Sequence, residues 1–184
     1  MSINEKSYAY GASKSSIREI FAYGMARKAE VGAENVYDFS LGNPSIPAPA
    51  GVNEAIREIL ADTDSLAIHG YTSAVGDLAT RQAIADDLNT PYDAGVSAAD
   101  LSITCGAAPG LCAVFGALSV PGGEVLAIAP YFPEYKPFVE NAGAAFKVIP
   151  PDVPDFQINL TAVESMLSPN TQAIIINSPN NPTG

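Results

Sequence analysis

No apolar run in this sequence approaches the roughly twenty residues that cross a bilayer, and the opening MSINEKS (Met1 to Ser7) has neither the basic start nor the apolar stretch of a secretory signal. The expectation is therefore a cytoplasmic protein. Basic charge is scarce as well: nine lysines and arginines stand against twenty acidic residues, a formal net charge of −11. Such a surface repels a phosphate backbone at long range, which argues against a nucleic-acid partner, and any bound anion has to be held by local dipoles. Cysteine is limited to Cys105 and Cys112, with no C-x-x-C spacing. That excludes a disulfide framework and leaves both as small packing residues. A single histidine, His69, with no second imidazole or nearby cysteine, gives no basis for a metal site.

What is present is an apolar content of 47% over 184 residues, enough to bury the core of a domain. Toward the N-terminus, SSIREIF (Ser15 to Phe21) opens with a capping-box pattern, Ser16 to Glu19, and sets Ile17, Ile20, Phe21 and Met25 on one stripe. This predicts a first helix. VYDFSL (Val36 to Leu41) reads as a short strand, and GNPSIPAP (Gly42 to Pro49) as an extended connection, because proline restricts both itself and its predecessor. Two more helices are predicted, Val52 to Leu60 and Leu78 to Leu88, separated by the loop HGYTSAVG (His69 to Gly76).

From residue 100 the pattern alternates. Strands are predicted at Leu101 to Thr104, Val125 to Ile128, Ala145 to Ile149 and Ala173 to Ile176, with helices at Leu111 to Leu118, within Tyr135 to Asn141, and at Thr161 to Leu167. Alternation with short connections implies an α/β fold, a mainly parallel sheet with helices on both faces.

Three segments at carboxyl ends of predicted strands carry candidate chemistry. CGAAPGL (Cys105 to Leu111) joins a strand to an apolar helix through small residues, so backbone N–H groups at the helix start can approach an anion. It matches neither G-x-x-x-x-G-K-[ST] nor G-x-G-x-x-G. APYFPEY (Ala129 to Tyr135) puts aromatic rings where they can cover a flat ligand. NSPNNPTG (Asn177 to Gly184) adds asparagine amides, which both donate and accept without adding charge. In open α/β sheets ligands bind at this edge, where one ligand can meet all three segments.

NNPTG (Asn180 to Gly184), with TCGAA (Thr104 to Ala108), YFP (Tyr131 to Pro133), YTSAVG (Tyr71 to Gly76) and LGNP (Leu41 to Pro44), resembles the class I and II aminotransferases, pyridoxal-phosphate enzymes of the aspartate aminotransferase fold. The resemblance implies that Gly106, Ala107 and Ala108 hold the cofactor phosphate through backbone amides. It likewise implies that Phe132 stacks on the pyridine ring, that Asn181 bonds the ring's phenolic oxygen, and that Gly42 lies near the substrate carboxylate. In the family's homodimers the tyrosine of the Y-x-x-x-x-G block reaches the neighbouring subunit's site, which implies that role for Tyr71. The CGAAP variant departs from relatives that place a serine or threonine hydroxyl on the phosphate. Residues 1–44 are expected to be an N-terminal arm with part of a small domain, and residues 45–184 the first part of the cofactor-binding large domain.

The same resemblance implies transfer of an amino group between an amino acid and a 2-keto acid. It places the Schiff-base lysine, the pyridine-nitrogen aspartate and the carboxylate-binding arginine beyond Gly184, so that no residue of this chain is catalytic and a complementing C-terminal half is needed. Lys6, Lys14, Lys28, Lys136 and Lys147 match no lysine motif of the family. A β-lyase or decarboxylase on the same scaffold, and a non-catalytic or regulatory chain, remain as alternatives.

Overall fold

The computed structural model describes residues 3–12, 15–42 and 46–184, so Lys14 and the Asn43–Pro44 part of the LGNP block lie outside the described residues. The chain divides into two compact units, Met1–Gly70 and Tyr71–Gly184. Helix Ala50–Asp62, which the sequence reading groups with the large domain, clusters with the first of them.

The first unit is helical: α1 (Glu5–Ala12), α2 (Ser16–Val31), α3 (Ala50–Asp62) and α4 (Ser65–His69). Helix α2 begins one residue earlier than its predicted cap requires. Ser15 is the cap, and its hydroxyl accepts from the Arg18 amide at 3.5 Å, satisfying one of the donors that a helix start leaves free. Helix α1 has no counterpart in the sequence reading, because EKSYAYGA shows no apolar stripe.

Val36 to Leu41 is not a strand; a 3-10 turn, Ala33–Asn35, leads into it, Val36 is extended, and the chain bends at Ser40 and Leu41. A strand exists only through ladder bonds to a partner, and this segment is held by side chains instead. Asp38 accepts from Lys28 Nζ at 2.9 Å and from the Ser40 hydroxyl at 2.6 Å. These bonds, the Ser40 hydroxyl's first and the Lys28 ammonium's second, hold the Asp38 carboxyl at about 2. Gly24 permits the approach, since a Cβ there would stand 2.9 Å from Asp38 Oδ2.

The second unit contains α5 (Leu78–Tyr92), α6 (Ala107–Leu118), β1 (Glu124–Ile128), α7 (Tyr135–Asn141), β2 (Ala145–Ile149), α8 (Leu160–Met166) and β3 (Thr171–Ile175). The three strands form a parallel sheet in the order β2-β1-β3. The fold class read from the sequence is thus present as a three-stranded parallel sheet with helices. β1 is central, and Val125, Leu126 and Ala127 are fully buried, as expected of a parallel strand covered on both sides. Phe115 of α6, Val139 of α7 and Ala144 pack with Val125, and Leu111, Phe138, Phe146 and Ile175 surround them.

Among the described residues every buried hydrophobic lies between Ala85 and Ile149, so the core belongs to the second unit. The apolar faces predicted on α2 and α3 exist but are exposed, with Ile17, Ile20, Phe21, Val52, Ile56 and Leu60 all open to solvent. Leu101 to Thr104 is also not a strand. Its ladder is reduced to one bond, from the Ile103 amide to the Val75 carbonyl at 3.0 Å. No helix among the described residues is long and apolar enough to cross a membrane.

Candidate functional site at the carboxyl edge of the sheet

The position of the α6 start follows from lengths. Twelve helical residues rise about 18 Å, and the five-residue strand β1 rises about 16 Å. Only the turn Ser119–Gly123 joins them, so α6 runs back along β1 and its first residues stand level with the strand's carboxyl end. The other end is fixed independently. The Gln172 side chain, at the start of β3, donates to the Leu118 carbonyl and accepts from the Val120 amide at 3.3 Å, closing the last turn of α6 onto the sheet.

Helix α6 starts on Gly106, at φ +90° and ψ 176°, with no side chain bonded across its first turn. That region of φ excludes a Cβ, and the place a Cβ would take is open space. Thr104 organises the approach. Its carbonyl accepts from the Gly106 amide at 2.8 Å, and its hydroxyl donates to the Gly106 carbonyl at 2.7 Å. Gly106, Ala107 and Ala108 are exposed. The sequence reading started this helix at Leu111; the structure starts it at Ala107, so the small-residue turn is the helix's own first turn.

The two loops that follow β1 and β3 meet directly. Asn180 Nδ2 donates to the Pro130 carbonyl at 3.1 Å and to the Thr183 hydroxyl at 2.7 Å. Asn180 also lines a cavity of about 210 Å³ with Ile128, Pro130, Phe156, Asn177 and Thr183. No carboxylate, histidine, lysine, arginine or cysteine side chain lines it; its polar residues are Tyr135, Gln157, Asn177, Ser178, Asn180 and Thr183. Four X-Pro bonds of this unit are cis, among them Ala129–Pro130, Ser178–Pro179 and Asn181–Pro182.

The predicted site residues divide. Gly106, Ala107, Ala108, Phe132 and Asn181 all lie on the carboxyl side of the sheet, on the α6 start and on the loops after β1 and β3. None of them lines the 210 Å³ cavity. Phe132 is half-buried, its ring edge-on to Tyr135 at 5.5 Å between centroids. Asn181 is exposed, and its amide makes no hydrogen bond among the described residues. Tyr71 is fully exposed. Its loop is nevertheless rigidly built: the Ser73 hydroxyl donates to the Gly76 carbonyl at 2.5 Å, Arg81 Nε reaches the same carbonyl at 3.3 Å, and Gly76, at φ +95°, lies against Ile103 where a Cβ would meet the side chain at 2.6 Å. Gly42 belongs to the first unit and is exposed.

Lys28 pairs with Asp38, and Lys147 pairs with Glu124 at 2.6 Å. The Lys147 ammonium and then the Ser168 hydroxyl hold Glu124 below the ordinary glutamate range, and the cluster ties the amino ends of the strands. Lys6 lies on α1 and Lys136 on α7. The sequence reading assigned no role to Thr104, Asn180 or Gln172. Only Asn180 carried a visible signal, the doubled asparagine of NNPTG, and its tie to Pro130 spans fifty residues.

A parallel sheet whose carboxyl edge carries an uncapped helix start and an asparagine-rich loop has the arrangement at which open α/β sheets bind their ligands. Residues 33–184 match the family model for aminotransferase class I and II. The chain belongs to that family. It superposes on a crystal structure of an amino transferase from Eubacterium rectale with TM-score 0.94 and 52% identity, over 99% of this chain and 46% of that one. It is 34% identical to an aspartate aminotransferase of Thermotoga maritima over 82% of this chain and 39% of the relative. It is 28% identical to a probable N-acetyl-LL-diaminopimelate aminotransferase of Bacillus subtilis over 91% of this chain and 42% of the relative. The chain thus spans about two fifths of the length of the curated relatives it matches.

Proposed function

We propose that this chain is part of a pyridoxal-phosphate-dependent aminotransferase that moves an amino group between an amino acid and a 2-keto acid in the cytoplasm. The observation that carries the proposal is that the uncapped start of α6 and the NNPTG loop lie on the same carboxyl edge of the sheet, in a member of this family.

The residues fit the cofactor's phosphate. An anion at the α6 start gains the amides of Ala107 and Ala108 and the helix dipole, and methyl side chains leave room for it. Pro109, within the first turn, gives up an amide there and brings a fixed φ suited to the helix. Phe132 supplies a ring face from the β1 loop, and Asn181 keeps an amide unspent for a phenolic oxygen on the β3 loop. When bound, pyridoxal phosphate contributes an electron-withdrawing ring that accepts the electron pair left by loss of an α-proton. The chain's own share is to anchor and orient that ring.

Tyr71, fully exposed on a pinned loop, is proposed to reach the phosphate site of a second copy in a homodimer. Residues 45–184 are proposed as the first part of the large domain, and Gly42 as a neighbour of the substrate carboxylate. The Schiff-base lysine and the carboxylate-binding arginine are proposed to come from polypeptide outside residues 1–184, which accords with the two-fifths share of the relatives.

The test is spectroscopic. The purified protein in its native length is expected to take up pyridoxal phosphate with a visible absorption band that borohydride abolishes, and to exchange amino groups between an amino acid and a 2-keto acid. Elimination or decarboxylation without transfer reassigns it to a lyase or decarboxylase of the same fold. A protein that binds no cofactor is the non-catalytic chain.

A further inference from the structure

We infer that Thr104 is the positioning residue of the phosphate cradle, acting through the Gly106–Ala107 peptide without touching the ligand itself. The inference rests on the cofactor reading above.

Gly106 is the hinge of the cradle. At φ +90° and ψ 176° it occupies a conformation open to glycine alone, and glycine has no Cβ to resist rotation of the peptide plane that follows. That plane carries the Ala107 N–H, the first donor of α6. Its carbonyl accepts the first intrahelical bond, as the carbonyl of a helix cap does, and Gly106 has no side chain of its own to hold the plane further.

Thr104 adds the side-chain hold: its hydroxyl donates to the same Gly106 carbonyl at 2.7 Å, a further bond on that oxygen. The Gly106–Ala107 bond is not among the cis bonds, and in a trans peptide the N–H lies opposite the C=O. Holding the carbonyl therefore holds the Ala107 N–H on the opposite side, out of the helix start. A second bond, from the Gly106 amide to the Thr104 carbonyl at 2.8 Å, closes the turn on the other side of Gly106, so residue 104 grips both peptide planes of the hinge.

The hydroxyl is itself held. A β-branched side chain has few χ1 choices, and Thr104 lies against the first turn of α6. A Cβ at Gly110 would stand 3.2 Å from Thr104 Oγ1 and 3.9 Å from its methyl. Gly110 thus lets the threonine sit close to the helix it orients. With a cysteine and two alanines around the turn, no other hydroxyl is available to do this, and Thr104 spends its single donor inward.

The test compares pyridoxal phosphate with pyridoxal, which lacks the phosphate, on the purified protein in its native length. Titration of the wild type and of Thr104→Val, Thr104→Ala and Thr104→Ser gives two dissociation constants for each. Losing the hydroxyl in Thr104→Val and Thr104→Ala lowers the preference for the phosphorylated ligand by about two- to tenfold, the worth of one neutral hydrogen bond. Pyridoxal affinity stays as in the wild type, and Thr104→Ser restores the preference. A purely structural role weakens both ligands together and leaves their ratio unchanged, which overturns the inference. It is also overturned if the two hydroxyl-free variants fail to fold while Thr104→Ser folds. A wild type with no preference for pyridoxal phosphate sinks the cofactor reading instead, so the two failures are told apart.

Discussion

Two adjacent asparagines of one loop are expected to fail differently. Asn180 joins the loop after β3 to the loop after β1 through the Pro130 carbonyl, and ties its own loop through the Thr183 hydroxyl. Replacement by alanine removes both bonds. The first is partly buried and leaves the Pro130 carbonyl short of a partner; the second is exposed and returns to water at little cost. Taking about 1 kcal/mol for the first and about 0.5 for the second, the loss is about 1–2 kcal/mol, or about 2–8 °C in Tm for a chain of this size. Asn181 spends its amide on nothing in the chain, so Asn181→Ala is expected to leave Tm within about 1 °C while weakening cofactor retention. Differential scanning calorimetry of the two variants, with cofactor titration alongside, separates them. An Asn180→Ala protein as stable as wild type refutes the assignment of Asn180 as the tie between loops. An Asn181→Ala protein with unchanged retention removes Asn181 from the site.

Leu126→Ala, at a fully buried position on the central strand, is expected to cost about 2–5 kcal/mol in denaturant unfolding; a loss under 1 kcal/mol means that the core around β1 is not closed. Asp38, held at about 2 against an ordinary value of 3.8, is charged and bonded to Ser40 and Lys28 at neutral pH. Because its folded value is depressed, the stability it contributes is present above about pH 4 and lost as pH falls through about 2. Carboxyl titration by NMR is expected to place its midpoint near 2, and a midpoint near 4 removes the ion pair from solution. The Ser119 hydroxyl is buried with no hydrogen-bond partner among the described residues, so Ser119→Ala is expected to be neutral or stabilising by up to about 1 kcal/mol in thermal unfolding. A loss beyond 1 kcal/mol shows a partner that the fold does not display.

The sequence pattern was legible where local periodicity and tertiary burial coincide. Ala145 to Ile149 has the predicted bounds and β1 extends its prediction by one residue, because an apolar run bounded by glycine or proline has one stable reading there; the helix predicted within Tyr135 to Asn141 fills that whole range. Leu101 to Thr104 and Val36 to Leu41 carry the same apolar signal without becoming strands. A strand is defined by its partner, and neither finds a ladder among the described residues. The predicted start of α6 lies four residues late because Ala, Pro and Gly give no hydrophobic stripe, although Pro109 sits where a first turn tolerates it. For the candidate site, the strand-and-loop pattern made legible that its segments lie on the carboxyl side of the sheet. The ties that shape it, Asn180 to Pro130 and Gln172 to Leu118, span fifty and fifty-four positions and leave no local trace in the sequence.

The sheet order β2-β1-β3 has a consequence for how the protein is made. The strand to which both others pair emerges first from the ribosome, so the sheet accretes outward, with β2 laid on one flank and β3 later on the other. A lesion in Glu124–Ile128 therefore deprives both later strands of their template, whereas one in Thr171–Ile175 leaves an earlier-formed pair intact.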